Sequence, residues 1–247
     1  MVPEAAVKEW FKDWFDRDYA AIYERRDAGE AERAVAMALE AAPCLGEGPV
    51  LDLACGSGRH LAVLRRTNPR AFGLDLSLDL LGMAPGDLKP WLLRADMRAL
   101  PVKAGTLSGL CMWFTPFGYF SDEQNRALLA AVAALLRPGG VAVLDYFNAS
   151  HVRAHLVRED ETTHQGLRVV SRRALEGSRV VKRMDLIRLD TGTIRHATES
   201  VRLYEPEELR ALASSCGLEA YRESGGYSGR PFAPGSPRWI GFLRRMV

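Results

Sequence analysis

The sequence predicts an α/β protein whose core is a doubly wound parallel sheet. Residues 50–64 give the first indication, because a short apolar run is followed by a turn with two glycines and then by a helical pattern. Predicted strands and helices then alternate up to about residue 148, which is typical of parallel strands joined by crossover helices. After that point the pattern changes, since residues 163–204 contain strand-like segments and no convincing helix. We therefore expect an antiparallel β insert attached to the parallel sheet.

The N-terminal residues 4–42 are predicted to form two helical segments that break near residues 27–29. Aromatic side chains recur in the first segment at intervals of three and four, so that one helix face is aromatic. One interpretation is a helix that covers the core. The other is that Tyr19 and Tyr23 close over a bound ligand as a lid, and the two interpretations are compatible.

The remaining elements follow from apolar runs and from turn and capping residues. In the first part of the chain we predict strands at residues 50–53, 71–76, 91–96, 106–114 and 141–146. A Ser-x-x-Gln capping box opens a helix at residue 121. About three strands are predicted in the insert, at residues 168–171, 180–186 and 194–201. A helix starts again at residue 205, followed by strands at residues 218–223 and 238–244 with a Gly/Pro/Ser-rich loop between them at 225–237.

The composition argues against several classes of protein. A formal net charge of +2 does not indicate nucleic acid or a membrane surface as the partner. The insert is rich in arginine, but interspersed acidic residues favour a solvated sheet face, with an RNA-facing surface as the alternative. The 4 cysteines are far apart, which is typical of reduced thiols. There is no signal-peptide pattern and no uncharged run long enough to cross a bilayer, so we expect a cytoplasmic protein.

The glycine turn distinguishes between two classes of cofactor. A dinucleotide fingerprint needs Gly-x-Gly-x-x-Gly or Ala, and Leu61 stands where its last residue would be. The pattern that is present is Asp52-x-Ala54-x-Gly56-x-Gly58, the tighter spacing of S-adenosylmethionine sites, with Ala54 in place of the first glycine. Since there is no pyrophosphate to hold, such a turn can approach the methionine part of that cofactor closely.

Two aspartates end the next two predicted strands. Asp75 ends the second strand, where a carboxylate can accept hydrogen bonds from both ribose hydroxyls of NAD or of S-adenosylmethionine. Asp96 ends the third strand, where it can accept from the amino group of adenine while the Met97 backbone meets the ring edge. Alone, each aspartate would be explained as a turn or cap residue. The occurrence of both at successive strand ends favours S-adenosylmethionine.

With these motifs the chain resembles the class I S-adenosylmethionine-dependent methyltransferases. The resemblance covers most of the chain and is carried by residues 50–64, 73–77, 95–101 and 135–140. It implies one domain with a seven-stranded, doubly wound, Rossmann-like methyltransferase sheet that a reversed hairpin closes. Its expected parts are an N-terminal helical lid (1–42), a cofactor-binding core (43–150), the antiparallel β insert (151–203), and a C-terminal helix with the closing hairpin (204–247).

The resemblance also implies where the cofactor S-adenosylmethionine binds. The glycine turn would line its methionine portion, Asp75 its ribose, and Asp96 with Met97 its adenine. Phe114 would lie near the sulfonium, which the lid tyrosines would cover. The full set implied for the cofactor is Tyr19, Tyr23, Ala54, Gly56, Gly58, Asp75, Leu76, Asp96, Met97 and Phe114.

Methyl transfer asks little of side chains, because a sulfonium methyl is already activated and the step needs mainly in-line positioning of a nucleophile. A general base matters only if the nucleophile must lose a proton, so no catalytic residue is assigned. Near the ends of the fourth and fifth strands, the candidates for substrate contacts are Tyr119, Tyr146 and Asn148. Tyr119 is the first choice, with packing under the insert as its alternative role.

We expect transfer of a methyl group to an N or O atom of a small-molecule acceptor, by a monomer or a homodimer. Segment 114–120, taken with the insert, is similar to a bacterial subgroup presumed to act on small molecules and to aminosugar and glycine/sarcosine N-methyltransferases. The alternatives are an RNA or protein methyltransferase, a non-catalytic regulatory protein that binds S-adenosylmethionine, and a nicotinamide oxidoreductase. Residues 114–117 lack the Asp/Asn-Pro-Pro-aromatic tetrad, which argues against an adenine-N6 enzyme that flips its base. His151 and His155 could share a helix face, but no third ligand is in view and no metal site is predicted.

Overall fold

The structure is a computed structural model that describes residues 9–23 and 28–246. It confirms the predicted fold class, with a mostly parallel 7-stranded sheet and a separate 4-stranded antiparallel sheet. In chain order the strands are β1 (Val50–Leu53), β2 (Ala71–Asp75), β3 (Leu92–Arg94), β4 (Leu107–Met112), β5 (Leu136–Phe147), β6 (Glu159–His164), β7 (Leu167–Glu176), β8 (Arg179–Arg188), β9 (Ile194–Arg202), β10 (Leu218–Ser224) and β11 (Arg238–Arg245). The helices are α1 (Phe11–Trp14), α2 (Arg17–Ile22), α3 (Ala28–Ala41), α4 (Arg59–Thr67), α5 (Leu78–Gly82), α6 (Asp122–Leu135), α7 (Ala149–Ala154) and α8 (Pro206–Ser215), with 3₁₀ turns at Pro43–Gly46 and Lys89–Trp91.

The topology of the large sheet creates a crevice at one edge. Its strand order is β10-β11-β5-β4-β1-β2-β3, and β11 runs antiparallel to both of its neighbours. From β1 the chain continues outward through β2 and β3, and it then returns to pair β4 with the other side of β1. Because the order reverses between β1 and β4, a crevice opens outside their carboxyl ends, which is where open α/β sheets bind ligands.

Helices cover both faces of the large sheet because its central strands are apolar on both faces. All residues of β1 are buried. On one face, Leu51 of β1 and Leu110 of β4 share a cluster with Leu129 of α6. On the other face, Val50 belongs to a second cluster with Leu61 of α4 and residues of α3. The alternation of side chains along β1 therefore fixes which helices lie on which face.

The insert contains one strand more than we predicted. The additional strand, β6, has the sequence Glu-Asp-Glu-Thr-Thr-His, which lacks the apolar alternation that predicts a strand. Its pairing with β7 defines it instead. One face of the insert is apolar, since Val169, Met184 and Leu186 are buried and join the cluster that contains Trp10 and Trp14. The insert sheet thus packs against the N-terminal helices.

The lid begins with two short helices where we predicted one continuous segment. Asp16 has an extended backbone, and its side chain accepts a hydrogen bond from the Tyr19 N–H at 3.1 Å, which caps α2 and ends the first segment. Residues 4–8 and 24–26 of the predicted segment, and residue 27 of the predicted break at 27–29, lie outside the described residues. The insert holds the lid, because Arg195 pairs with Asp16 and the Trp14 indole donates to Glu199 at 2.7 Å. Within the described ranges, no helix is long and apolar enough to span a membrane.

Candidate functional site

A cavity of about 370 Å³ lies in the crevice, between the carboxyl ends of β1–β4 and the lid. The structure brings to it every residue predicted for the cofactor except Gly58, namely Tyr19, Tyr23, Ala54, Gly56, Asp75, Leu76, Asp96, Met97 and Phe114. It also brings Tyr119 there. Residues that are far apart in the sequence therefore meet at one site, and their individual roles toward a ligand stay predictions.

The turn after β1 adopts a left-handed backbone at alternate positions. Ala54, Gly56 and Gly58 have φ values of 61°, 57° and 84°. The N–H groups of Ala54 and Cys55 both donate to the carbonyl of Leu74 at the end of β2, at 2.8 and 3.1 Å. A left-handed alanine costs about 1–2 kcal/mol relative to a right-handed one, so these bonds to β2 hold Ala54 in place.

Gly58 acts as the boundary between the turn and α4. It is the N-cap of α4 in the left-handed conformation, and a Cβ there would lie 3.1 Å from a methyl of Leu88. The left-handed backbone is by itself a sufficient reason for glycine at this position. This explains why Gly58 belongs to the motif without lining the cavity.

Asp75 ties the end of β2 to the glycine turn. Its Oδ2 accepts from the Gly56 N–H and its Oδ1 from the Ser77 N–H, both at 2.8 Å. The side chain is nearly buried, and burial raises its pKa. Each carboxylate oxygen has a second acceptor position, which suits a ligand that presents two neighbouring hydroxyl groups.

Asp96 reaches the cavity from the end of β3 with its carboxylate already oriented. Arg98 holds it in a fork, with Nε donating to Oδ1 at 3.0 Å and Nη2 to Oδ2 at 2.5 Å. The Arg98 hydrogen bonds lower the pKa of Asp96. The ionised carboxylate keeps further acceptor positions, so it can receive a hydrogen bond from an amino group of a ligand.

An aromatic wall closes the side of the cavity that faces the lid. Tyr19 lies with its ring centroid 4.8 Å from Phe15 and 4.8 Å from Tyr23. Tyr119 lies 4.8 Å from Trp10 and stacks on Phe15 at 5.9 Å. Such a wall excludes water and attracts a cationic group through the faces of its rings.

The structure does not bring Tyr146 and Asn148 to the cavity, and we do not retain them as substrate contacts. Tyr146 is 0% exposed and its hydroxyl donates to the carbonyl of Arg202 at the end of β9. Asn148 is 1% exposed, caps α7, and donates to the carbonyls of Pro234 and Ser236 at 2.8 Å. Both lie near the end of β5 as predicted, but their polar groups form hydrogen bonds with other parts of the chain.

Several cavity residues were missed by the sequence reasoning. His60 and Trp113 line the cavity with their rings stacked at 5.1 Å. Arg59 also lines it and pairs with Glu30 of α3 at 3.0 Å. The sequence did offer a signal for these residues, since Arg59 and His60 directly follow the glycine turn and Trp113 directly precedes Phe114. Among the described residues, no cluster of His, Cys, Asp or Glu could hold a metal ion, and His151 and His155 stack on each other at 4.1 Å.

The fold and the cavity define a protein that binds a nucleoside-type cofactor at the strand ends of a doubly wound sheet. A family model described as a methyltransferase domain matches residues 50–140. Over 239 residues, 90% of this chain and 99% of the relative, the chain is 28% identical to dTDP-3-amino-3,4,6-trideoxy-alpha-D-glucopyranose N,N-dimethyltransferase of Streptomyces venezuelae. It is also 28% identical to dTDP-3-amino-3,6-dideoxy-alpha-D-glucopyranose N,N-dimethyltransferase of Streptomyces fradiae, over 76% of each chain. The crystal structure of Streptomyces venezuelae DesVI matches 96% of this chain and 98% of its own, with a TM-score of 0.65 and 26% identity.

The chain is an S-adenosylmethionine-dependent methyltransferase with a methyltransferase domain at residues 50–140, and these findings support the class I superfamily that its sequence resembles. The residues of the cavity fit that cofactor. Asp75 offers two acceptor oxygens for ribose hydroxyls, Asp96 an oriented acceptor for adenine, and the left-handed turn a backbone surface for the methionine portion. The aromatic wall suits a sulfonium cation.

The arrangement performs its chemistry mainly by positioning. When bound, S-adenosylmethionine supplies a methyl group that is already activated for transfer. The turn and the two aspartates would hold the cofactor in one orientation, and the aromatic wall would exclude water from the methyl group. No charged side chain of the lid lines the cavity among residues 9–23, so an acceptor would meet aromatic surface there.

Proposed function

We propose that this protein methylates an aliphatic amino group of a small sugar-like molecule. The observation that carries the proposal is the extent of the match to the S. venezuelae sugar N,N-dimethyltransferase, which spans 99% of that enzyme. The match covers 90% of this chain and therefore extends well beyond residues 50–140, into the segments that flank the cofactor-binding core. These are the parts of the chain that can contact an acceptor, so similarity there bears on the acceptor as well as on the cofactor.

The aromatic wall supports an amine acceptor. A neutral amine is a sufficient nucleophile for a sulfonium methyl, so the site needs position and exclusion of water more than a base. The methylated product is a cation after each transfer, which aromatic faces accommodate. Tyr119 is our candidate acceptor contact, because it lines the cavity between the lid aromatics and the segment after β4.

The charges of the insert do not favour an RNA acceptor. Four of its arginines form pairs with acidic residues on neighbouring strands. Arg168 pairs with Glu161 and Arg173 with Asp160. Nucleic acid binding relies on unpaired basic groups that release counterions from phosphates, and a sheet face of paired charges provides few of them.

Two measurements test the proposal. Calorimetry with S-adenosylhomocysteine and with NAD should show binding of the first only. Incubation with S-adenosylmethionine and dTDP-3-amino-3,4,6-trideoxy-alpha-D-glucopyranose, followed by mass spectrometry, should show addition of one and then two methyl groups. Binding of S-adenosylhomocysteine without transfer to any of a panel of nucleotide-linked amino sugars would contradict the proposed acceptor class. A monomeric or homodimeric state and a cytoplasmic location stay predictions.

A further inference from the structure

Two consecutive residues, the first of which lines the cavity, have a backbone conformation that is unfavourable for residues other than glycine. Phe114 and Thr115, directly after β4, both have φ of 65°. Neither is glycine, so the left-handed conformation is costly at each position and persists only where surrounding contacts enforce it. Phe114 lines the cavity. The direction in which its ring faces the cofactor site therefore depends on whatever holds this pair of residues.

The contacts that hold the pair converge on Asp145 of β5. The carboxylate is 0% exposed, and its Oδ2 accepts from the Phe114 N–H at 2.7 Å. The Thr115 N–H donates to the carbonyl of Asp145 at 3.0 Å. Arg238 donates to the Asp145 carboxylate through Nε and to the Thr115 hydroxyl at 2.9 Å through Nη2. Asp145 and Arg238 thus bind both backbone N–H groups of this pair and the Thr115 hydroxyl.

A third donor to the Asp145 carboxylate comes from the loop that precedes β11. The Tyr227 hydroxyl donates to Oδ2 of Asp145. Burial, together with the charge of Asp145, raises the pKa of Tyr227, so the phenol keeps its proton and stays a donor. The guanidinium of Arg238 also lies 5.1 Å from the ring centroid of Phe114. Tyr227 and Arg238 both lie outside residues 50–140, so the closing hairpin contributes to a wall of the cavity.

We propose that Asp145 is a positioning residue for the methyltransferase, which together with Arg238 and Tyr227 holds Phe114 and Thr115 in the left-handed conformation that orients Phe114 at the cofactor cavity. A buried carboxylate with three donors is not needed for stability, since apolar side chains of similar volume stabilise a fold as well or better. Its benefit is a fixed geometry. The inference rests on the assignment of S-adenosylmethionine to this cavity.

The test compares binding of S-adenosylhomocysteine by calorimetry in the wild type and in Asp145→Asn, Tyr227→Phe and Thr115→Gly variants. Asparagine keeps the volume of Asp145 but offers one acceptor oxygen and an NH₂ group that would face a donor. We expect Asp145→Asn to raise the Kd about 10-fold and Tyr227→Phe about 3-fold. Glycine adopts positive φ freely, so adding Thr115→Gly to Asp145→Asn should recover about half of the lost affinity on a logarithmic scale.

The rescue separates positioning from plain stabilisation of the fold. If Asp145 served only the core, Asp145→Asn would lower the melting temperature without changing the Kd, or Thr115→Gly would fail to recover the affinity. Either result would overturn the proposal. If Asp145→Asn does not fold, Tyr227→Phe with and without Thr115→Gly carries the same comparison. As a matched control, Arg210→Met removes the 2.6 Å ion pair with Glu223 between α8 and β10 and should leave the Kd unchanged. Absence of binding in the wild type would instead contradict the cofactor assignment.

Discussion

Replacement of Asp75 by alanine should remove most of the affinity for the cofactor. In the structure its two oxygens each accept one backbone hydrogen bond at 2.8 Å and have one further acceptor position. A hydrogen bond to a charged group contributes about 1.5–3 kcal/mol. Loss of two such bonds to the ribose hydroxyls therefore predicts a weakening of at least ~3 kcal/mol, or ~100-fold in Kd.

The assay is calorimetric titration of S-adenosylhomocysteine into the wild type and the variants. Asp75→Asn keeps one acceptor oxygen and should weaken binding by only ~10-fold. Asp79→Ala is the matched control, because this residue is an exposed aspartate of α5 that does not line the cavity, and its Kd should equal that of the wild type. Melting curves establish that each variant is folded. A folded Asp75→Ala variant with the affinity of the wild type would refute the assignment of Asp75 to the ribose.

Three further predictions follow from the same site. Gly58→Ala should lower the free energy of unfolding by about 1–2 kcal/mol, because the alanine would have to adopt the left-handed φ of 84°. Gly82→Ala is the control and should not destabilise the protein, since a Cβ there meets nothing within 4 Å. Equal melting temperatures for the two variants would contradict this prediction. Asp52 is fully buried, and burial raises its pKa from 3.8 to about 8. The unfolded chain therefore loses this proton at a lower pH than the native chain does. As a result, the free energy of unfolding falls as the pH rises between these two pKa values. Asp52→Asn should therefore flatten the decline of the melting temperature between about pH 5 and about pH 8, and an unchanged slope would count against it. Tyr119→Ala should lower kcat/KM for the acceptor by ~10-fold and leave the Kd for S-adenosylhomocysteine within ~2-fold of the wild type. A raised Kd with an unchanged kcat/KM for the acceptor would instead place Tyr119 at the cofactor.

The sequence was sufficient for the large sheet and for the cofactor because both depend on local patterns. Short apolar runs predict buried parallel strands, and acidic residues at strand ends meet at one edge of the sheet once the topology is known. Asp75 and Asp96 lie where this argument placed them. The fold follows from these patterns even though Ala54 replaces a glycine, since its left-handed conformation is held by hydrogen bonds to Leu74.

Features that depend on contacts between distant segments could not be predicted in this way. Strand β6 exists because β7 pairs with it, and its own sequence has no apolar alternation. Tyr146 and Asn148 lie near the end of β5 as expected, but their polar groups form hydrogen bonds with the insert and with the loop before β11. The contact of Asp145 with Arg238 joins residues 93 positions apart. No spacing rule links them, so their role emerges only from the folded chain.

A crystal structure of the protein with S-adenosylhomocysteine tests the central claim most directly. We predict that the product cofactor occupies the cavity under the lid, with its ribose hydroxyls on Asp75, its adenine beside Asp96, and its sulfur next to Phe114. A ligand bound elsewhere, or in this cavity with its ribose away from Asp75, would contradict the account.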